Sequence, residues 1–427
     1  MAVERPRGTR DFTPEEMWKR HYVESVLRRV AEKFNYGEVM FPLFEHTQLF
    51  QLKSGEEIAG HMYVFEDKGG RSLCLRPEAT ASVARMFGTS LRNLQKPIRV
   101  YYFAPMYRYE EPQKNRYREF WQFGVELIGA GTREGDVEAV ILAVECLRKL
   151  GVKHTLEIGH LGVMRSLLDD FGLNEELQNH AIACLDRKNY NELKKVVREK
   201  ALFDLIELNG GIEVLGKAEG ILSSHEKALK SLGELGDIVK LLDLANVKYT
   251  LNFGMARGLA YYTGIIFEVR VPGLGAQNQI CGGGRYDNLV KLFSGLEEPA
   301  VGFAFGFDRL LDAMESQGIS VPEQERAVVV APVVEEVRKM AFEISARLRS
   351  ESKHTVEFDI MNRRLGKVLE YAAKIKAKHV VIVGLKELRE NKVVVRDMDS
   401  GEQKEVRLDE LSSFLGGSHS SGPQIFP

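Results

Sequence analysis

Cysteine is scarce in this chain of 427 residues, which has only four: Cys74, Cys146, Cys184 and Cys281. They lie far apart and form no CxxC motif or Cys/His pair, so neither a zinc site nor a disulfide framework is expected. A reduced, cytoplasmic protein with thiols in its core is the reading that remains. Long apolar runs are also missing. None approaches the roughly 18 residues a membrane span requires, and Met1–Arg7 has no apolar stretch behind its charges, so no secretory leader is expected. Net charge is nearly absent, with 59 Lys and Arg against 61 Asp and Glu. That excludes a histone-like polycation while leaving room for local basic surfaces.

What is present is a globular composition, 44% apolar and 28% charged, in a chain too long for one ordinary core. Thr13-Pro14-Glu15-Glu16 predicts a helix start, with Thr13 as cap and Glu16 completing a capping box. Val23, Val26, Leu27, Val30 and Phe34 follow at helical spacing. The helix should end around Asn35-Tyr36-Gly37, with Val39–Pro42 as a strand at an edge or bend. Arg99–Arg108 and Glu119–Ile128 read as an antiparallel pair joined by a polar loop. Residues 161–245, rich in Leu, Lys and Glu, read as a helical insertion. Strand character returns at Tyr249–Phe253, Tyr261–Val271 and Ala300–Phe305. After a polar boundary near Gly318–Arg326, residues 326–415 alternate strand and helix, which predicts a small α/β domain with a largely parallel sheet. Residues 416–427 are expected to be a flexible tail.

Several segments could carry chemistry. On a strand over 119–127, Gln122, Gly124 and Glu126 share one face and Phe123, Val125 and Leu127 the other. An amide and a carboxylate flanking a glycine would floor a site for a small polar ligand; a solvent-facing strand has the same pattern. Arg108, Arg116 and Arg118 nearby suit phosphates, which a guanidinium binds through two parallel bonds, although Glu110, Glu111 and Arg116 could equally neutralise one another. Glu78 and Thr80 follow Pro77, either capping a helix or holding a ligand ammonium. Gly258 would let Arg257 approach a ligand on the sheet. Arg309, in the first turn of a helix, opposes the helix dipole, as an anion-binding arginine would. Gly282-Gly283-Gly284 fits a close backbone approach or a ligand loop.

Together these blocks resemble the histidyl-tRNA synthetases, which are class II aminoacyl-tRNA synthetases. The resemblance rests on Leu75–Thr80, Tyr107–Phe120, Arg257–Tyr262, Cys281–Asp287 and Gly302–Arg309, and it covers the chain from Arg5 to about Leu415. It implies an α+β fold. An antiparallel-sheet catalytic domain (1–160 and 246–320) would be interrupted by the helical insertion (161–245) and followed by an α/β anticodon-binding domain (326–415). The substrates implied are ATP, held in a bent form, L-histidine and the tRNA for histidine, with Mg²⁺ on the phosphates and a homodimer formed near the first helix and Pro42. By position, Glu78, Thr80 and Gln122 would hold the substrate ammonium, while Glu126, with the Tyr261-Tyr262 pair, would read the imidazole. Arg108 would bind the α-phosphate, Arg309 the γ-phosphate and Arg116 the ATP tail. Glu119 would hold the metal, and Arg257 would sit between the histidine carboxylate and the α-phosphate.

The sequence departs from the family pattern at Ala79 and Ala260, where many relatives have Gly and Asp. It also departs at Glu111, where many bacterial relatives place an arginine near the tRNA acceptor end. Over 326–410 the chain carries 18 Lys and Arg against 15 Asp and Glu, a mild basic bias compatible with RNA contact. Two rival readings share the fold. One is the synthetase-like regulatory subunit of ATP phosphoribosyltransferase, which usually lacks the C-terminal domain. The other is a class II synthetase for another amino acid, against which Glu126 and Tyr261-Tyr262 speak.

Overall fold

The computed structural model describes residues 3–51, 60–111, 117–257, 261–275 and 278–416. The chain divides into two compact units, Met1–Val321 and Pro322–Pro427.

The first unit opens with the helix Pro14–Lys33. Both halves of its capping box form: the Glu16 amide donates to the Thr13 hydroxyl at 3.4 Å, and the Glu16 carboxylate accepts from the Thr13 amide at 2.7 Å. Its buried stripe of Val23, Val26, Leu27 and Val30 follows helical periodicity and packs on the helix Arg133–Leu150.

A nine-stranded sheet forms the body of the unit. Its six central strands are antiparallel neighbours in the order Ile98–Tyr107, Glu119–Ile128, Ala300–Gly306, Gln279–Arg285, Ile265–Arg270 and Thr155–His160. Short strands at the two ends add parallel pairings, Gly37–Glu38 on Ile98–Tyr107 and Thr250–Asn252 on Thr155–His160. Phe123, Val125 and Leu127 are buried on the face covered by Arg133–Leu150. On that face Arg99, opposite Leu127 in register, pairs with Glu138 of the helix at 2.8 Å. The helices between Leu161 and Leu244 share the hydrophobic core of this unit.

The structure corrects four expectations. Val39–Pro42 is not a strand: pairing stops at Glu38, with one further bond from the Val39 amide to the Tyr101 carbonyl. Pro42 has no N–H to give, and the buried Arg76 guanidinium takes the Phe41 and Pro42 carbonyls at 2.8 and 3.1 Å, so a side chain replaces the ladder there. The strand expected from Tyr261 begins only at Ile265. Gln279–Arg285, whose glycine run gives no strand signal, is a central strand. Finally, the C-terminal sheet is mixed. Val356–Phe358, Val328–Pro332 and His379–Val383 are parallel, whereas Lys392–Asp397 and Gln403–Arg407 are antiparallel. Only five residues join the last two strands, too few for a parallel crossover.

Within the second unit, alternation along Val328–Pro332 serves two faces. Val328 and Val330 pack with the helix Arg338–Glu351, and Val329 and Ala331 with the helix Leu365–Lys374. Of the tail expected over 416–427, residues 417–427 lie outside the described residues, as do Arg116 and Ala260.

Thr13→Ala removes one half of the capping box and should cost about 1 kcal/mol. Denaturant unfolding would register this as a lower midpoint at unchanged slope, and an unchanged midpoint would mean the cap contributes nothing.

Candidate active site

One cavity on the sheet face opposite Arg133–Leu150 is lined by Glu78, Thr80, Arg108, Gln122, Glu126, Arg257, Tyr261, Tyr262 and Arg309. Nine of the eleven residues singled out from sequence therefore converge, although they come from five separate stretches of chain. Arg116 lies outside the described residues. Glu119 points to the other side of its strand and does not line the cavity; its carboxylate accepts from the Tyr107 hydroxyl, across the ladder, at 3.1 Å.

Glu126 is the most deeply buried of the cavity carboxylates. One oxygen accepts from the Thr80 hydroxyl at 2.9 Å and the other from the Tyr286 hydroxyl. Burial pushes its carboxyl up to about 8, against the downward pull of those two hydrogen bonds; the nearby Glu78 pushes it further up. The side chain fits because its neighbour in register, Gly302, has none: a Cβ there would overlap the carboxylate. Glu78 accepts from the Thr80 and Ala81 amides at 2.7 and 3.0 Å and so caps the helix Thr80–Met86. Burial also raises its carboxyl, with the two amides and Arg108 opposing.

The space over Gly124 is not vacant. Tyr102, its partner in register, lies against it, and any Cβ at that position would overlap the phenol. The ligand floor read from Gln122, Gly124 and Glu126 is thus partly filled by a neighbour's ring. Tyr261, Tyr262 and Tyr286 complete an aromatic wall, with ring centroids 4.7 Å apart in the first pair and 6.0 Å between Tyr261 and Tyr286. Burial holds all three phenols above the ordinary tyrosine range, so they stay neutral hydrogen-bonding groups.

Three arginines face this wall. Arg108 donates Nε–H to the Pro77 carbonyl at 2.9 Å and stacks on Phe120. Arg309 donates to the Gln279 carbonyl at 3.1 Å. Arg257 lies across Gly282, where a Cβ would overlap its guanidinium. Next to Arg309, Asp308 is a buried anchor: it takes Arg10 and Arg20 at 2.6 Å each and the Trp121 amide at 3.0 Å. This fixes the start of the helix Phe307–Ser316 against the neighbouring strand. No role was expected for Tyr102, Tyr286 or Asp308, because the partners that place them lie on other segments of the chain. Among the described residues no group of three or more His, Cys, Asp or Glu converges as a metal site. Glu78, Glu126 and Asp308 are instead engaged by amides, hydroxyls and arginines, so these three do not form a donor set that fits a resident metal ion.

The family model described as Histidyl-tRNA synthetase matches residues 8–310, and that described as Anticodon binding domain matches 327–417. This chain belongs to the histidyl-tRNA synthetase family. Similar curated relatives named Histidine–tRNA ligase come from Methanocaldococcus jannaschii and Archaeoglobus fulgidus. Each is 43% identical over 423 residues, covering 97% of this chain and all of the relative. Among solved structures, apo histidyl-tRNA synthetase from S. aureus superposes with a TM-score of 0.72 at 28% identity, covering 97% of this chain and 99% of that one. A Bacillus halodurans protein titled ATP phosphoribosyltransferase regulatory subunit/histidyl-tRNA synthetase superposes at 0.77 and 25% identity, covering 90% of this chain and 99% of that one.

The Glu126 carboxyl gives a test of this geometry. Its folded value of about 8 lies above the ordinary 4.5, so between those values the folded chain keeps a proton that the unfolded chain releases. Stability should therefore fall as pH rises through that interval. Glu126→Gln should fall less, read as denaturation midpoints at pH 5 and 8.5; parallel curves for the two proteins would count against the assignment.

Proposed function

We propose that this chain is a histidine–tRNA ligase that activates L-histidine with ATP and then esterifies it to the 3′ end of its tRNA. The observation that carries the reading is the meeting, in one cavity, of a buried carboxylate with phenols and of three arginines drawn from separate segments of the chain. The first group suits an imidazole, the second a polyphosphate.

In this reading Glu126 and Tyr262 address the two ring nitrogens of histidine. With its carboxyl raised to about 8, Glu126 shares one proton with the imidazole, whether the acid donates to a neutral ring or the carboxylate accepts from a charged one. An analogue lacking ring nitrogens would leave these buried groups unpaired, which supports discrimination of about 10⁴-fold without editing. Glu78, Thr80 and Gln122 hold the ammonium, and Tyr261 packs beside Tyr262. Arg108 and Arg309 hold the α- and γ-phosphates, and Arg116 approaches the ATP tail.

No protein nucleophile is required. A histidine carboxylate oxygen attacks the α-phosphorus, an O–P bond forms, and the bond to the pyrophosphate oxygen breaks. Arg257 faces both the carboxylate and the α-phosphoryl oxygens and neutralises the charge that grows there, so catalysis is alignment plus electrostatic stabilisation. The terminal ribose hydroxyl of the tRNA then attacks the adenylate carbonyl and releases AMP. Mg²⁺ enters as a counter-ion carried on the ATP phosphates. The second unit grips the anticodon stem-loop, two copies pair near the first helix and Pro42, and the enzyme works in the cytoplasm. No helix of the described residues is long and apolar enough to cross a membrane.

Exchange of labelled pyrophosphate into ATP, run with each amino acid in turn, should proceed with histidine alone. No exchange would favour a regulatory subunit, and exchange with another amino acid would displace the specificity. Arg257→Ala should lower kcat about 10²- to 10³-fold, the scale of losing a transition-state charge partner, with a much smaller change in the histidine KM. Equal losses in both would reduce Arg257 to a binding residue.

A further inference from the structure

Glu268 is buried in the strand Ile265–Arg270, opposite Gly282 on one side and Glu157 on the other. Two carboxylates facing each other on adjacent strands repel, an arrangement that costs stability unless a cation lies between them. Arg270 supplies that cation. Its Nη2 is 2.6 Å from Glu268 Oε2 and its Nε is 3.4 Å from Glu157 Oε1, while the Asn252 amide donates to Glu157 Oε2 at 3.1 Å. With Oε2 held from behind, Glu268 Oε1 accepts from Nη1 of the cavity-lining Arg257 at 3.4 Å. Arg257 reaches it by lying over Gly282, the register partner of Glu268, where a Cβ would overlap its guanidinium. Arg257 Nε is buried with no partner among the described residues.

We infer that Glu268 is a positioning residue for the activation step: it fixes the guanidinium plane of Arg257 over the cavity and is itself fixed by Arg270 and Glu157. The inference rests on the function proposed for the cavity. An arginine carries several side-chain torsions, and ordering them anew in each turnover would cost entropy and alignment. A carboxylate behind the guanidinium removes that cost in advance. It also subtracts from the field at the reacting phosphoryl group, and Arg270, paired to the same carboxylate at 2.6 Å, offsets that charge. Two like charges kept opposite each other inside a sheet are thereby accounted for: one orients the cation used in chemistry, and the other steadies the arginine behind it.

The test is a double-mutant cycle in histidine-dependent pyrophosphate exchange. Glu268→Gln should lower kcat about 10- to 100-fold, the loss expected for a charge-assisted hydrogen bond that aligns a reacting group. The histidine KM should stay within about threefold, because the loss falls on the transition state. In an Arg257→Ala background the same substitution should cost less than about twofold, since the group it orients is gone. An unchanged kcat in Glu268→Gln, or a loss as large without Arg257 as with it, overturns the inference. Thermal midpoints establish that each protein is folded. Should the glutamine protein not fold, Glu268→Asp carries the same cycle, because it keeps the charge facing Arg270 but draws it one methylene back from Arg257. An unaltered chain that shows no histidine-dependent exchange would overturn the function and the inference together, whereas an active chain with additive losses overturns the inference alone.

Discussion

A long polar side chain can lie flat on the face of a β-sheet only where the neighbouring strand offers no side chain of its own. That constraint organises this cavity. Glu126 lies over Gly302, Arg257 over Gly282 and Tyr102 over Gly124, and in each case a Cβ would overlap the group above it. The central strands are paired so that these positions adjoin: Gly282, Ala304 and Gly124 form one row across three strands, and Gly284, Gly302 and Glu126 form the next. A register slip of one residue would turn the charged groups into the core and the phenylalanines into the cavity.

The same packing sets the electrostatics. A carboxylate pressed onto the sheet loses water and rises in pKa, as Glu126 does, so its hydroxyl partners Thr80 and Tyr286 hold it in place without neutralising it. The arginines are anchored differently, through backbone carbonyls for Arg108 and Arg309 and through Glu268 for Arg257. Three arginines and Glu126 therefore line one surface, with Glu126 held by hydroxyls rather than by a guanidinium. Asp308 completes the arrangement from outside, because its bonds to Arg10, Arg20 and the Trp121 amide tie the amino-terminal segment, the central strand and the Arg309 helix into one rigid corner.

Much of this was legible in the residues. The capping box at Thr13, the pairing of Arg99–Arg108 with Glu119–Ile128 and the alternation of Gln122 and Glu126 with Phe123 and Val125 all follow from local rules, and the structure has each of them. The glycine strand was not legible. Gln279–Arg285 carries three consecutive glycines in seven residues, which hide a period of two, and its place in the sheet comes from its pairing with strands on both sides. For the same reason Gly124 suggested an empty floor, because the tyrosine that covers it belongs to another strand. Glu119 illustrates the limit of proximity in sequence: it begins the strand that carries Gln122 and Glu126, yet pleating turns it to the other face. Val39–Pro42 looked like a strand by composition, but its carbonyls are claimed by Arg76 from 34 residues further along.

Under the proposed function the cavity is a single two-substrate site, with an imidazole end at Glu126 and a phosphate end at Arg108 and Arg309. A crystal structure of the chain with L-histidine and a non-hydrolysable ATP analogue bound addresses that most directly. The account predicts the imidazole between Glu126 and Tyr262, with the triphosphate spanning the two arginines and the amino-acid carboxylate beside Arg257. Nucleotide bound elsewhere, or an imidazole that avoids Glu126, would contradict it.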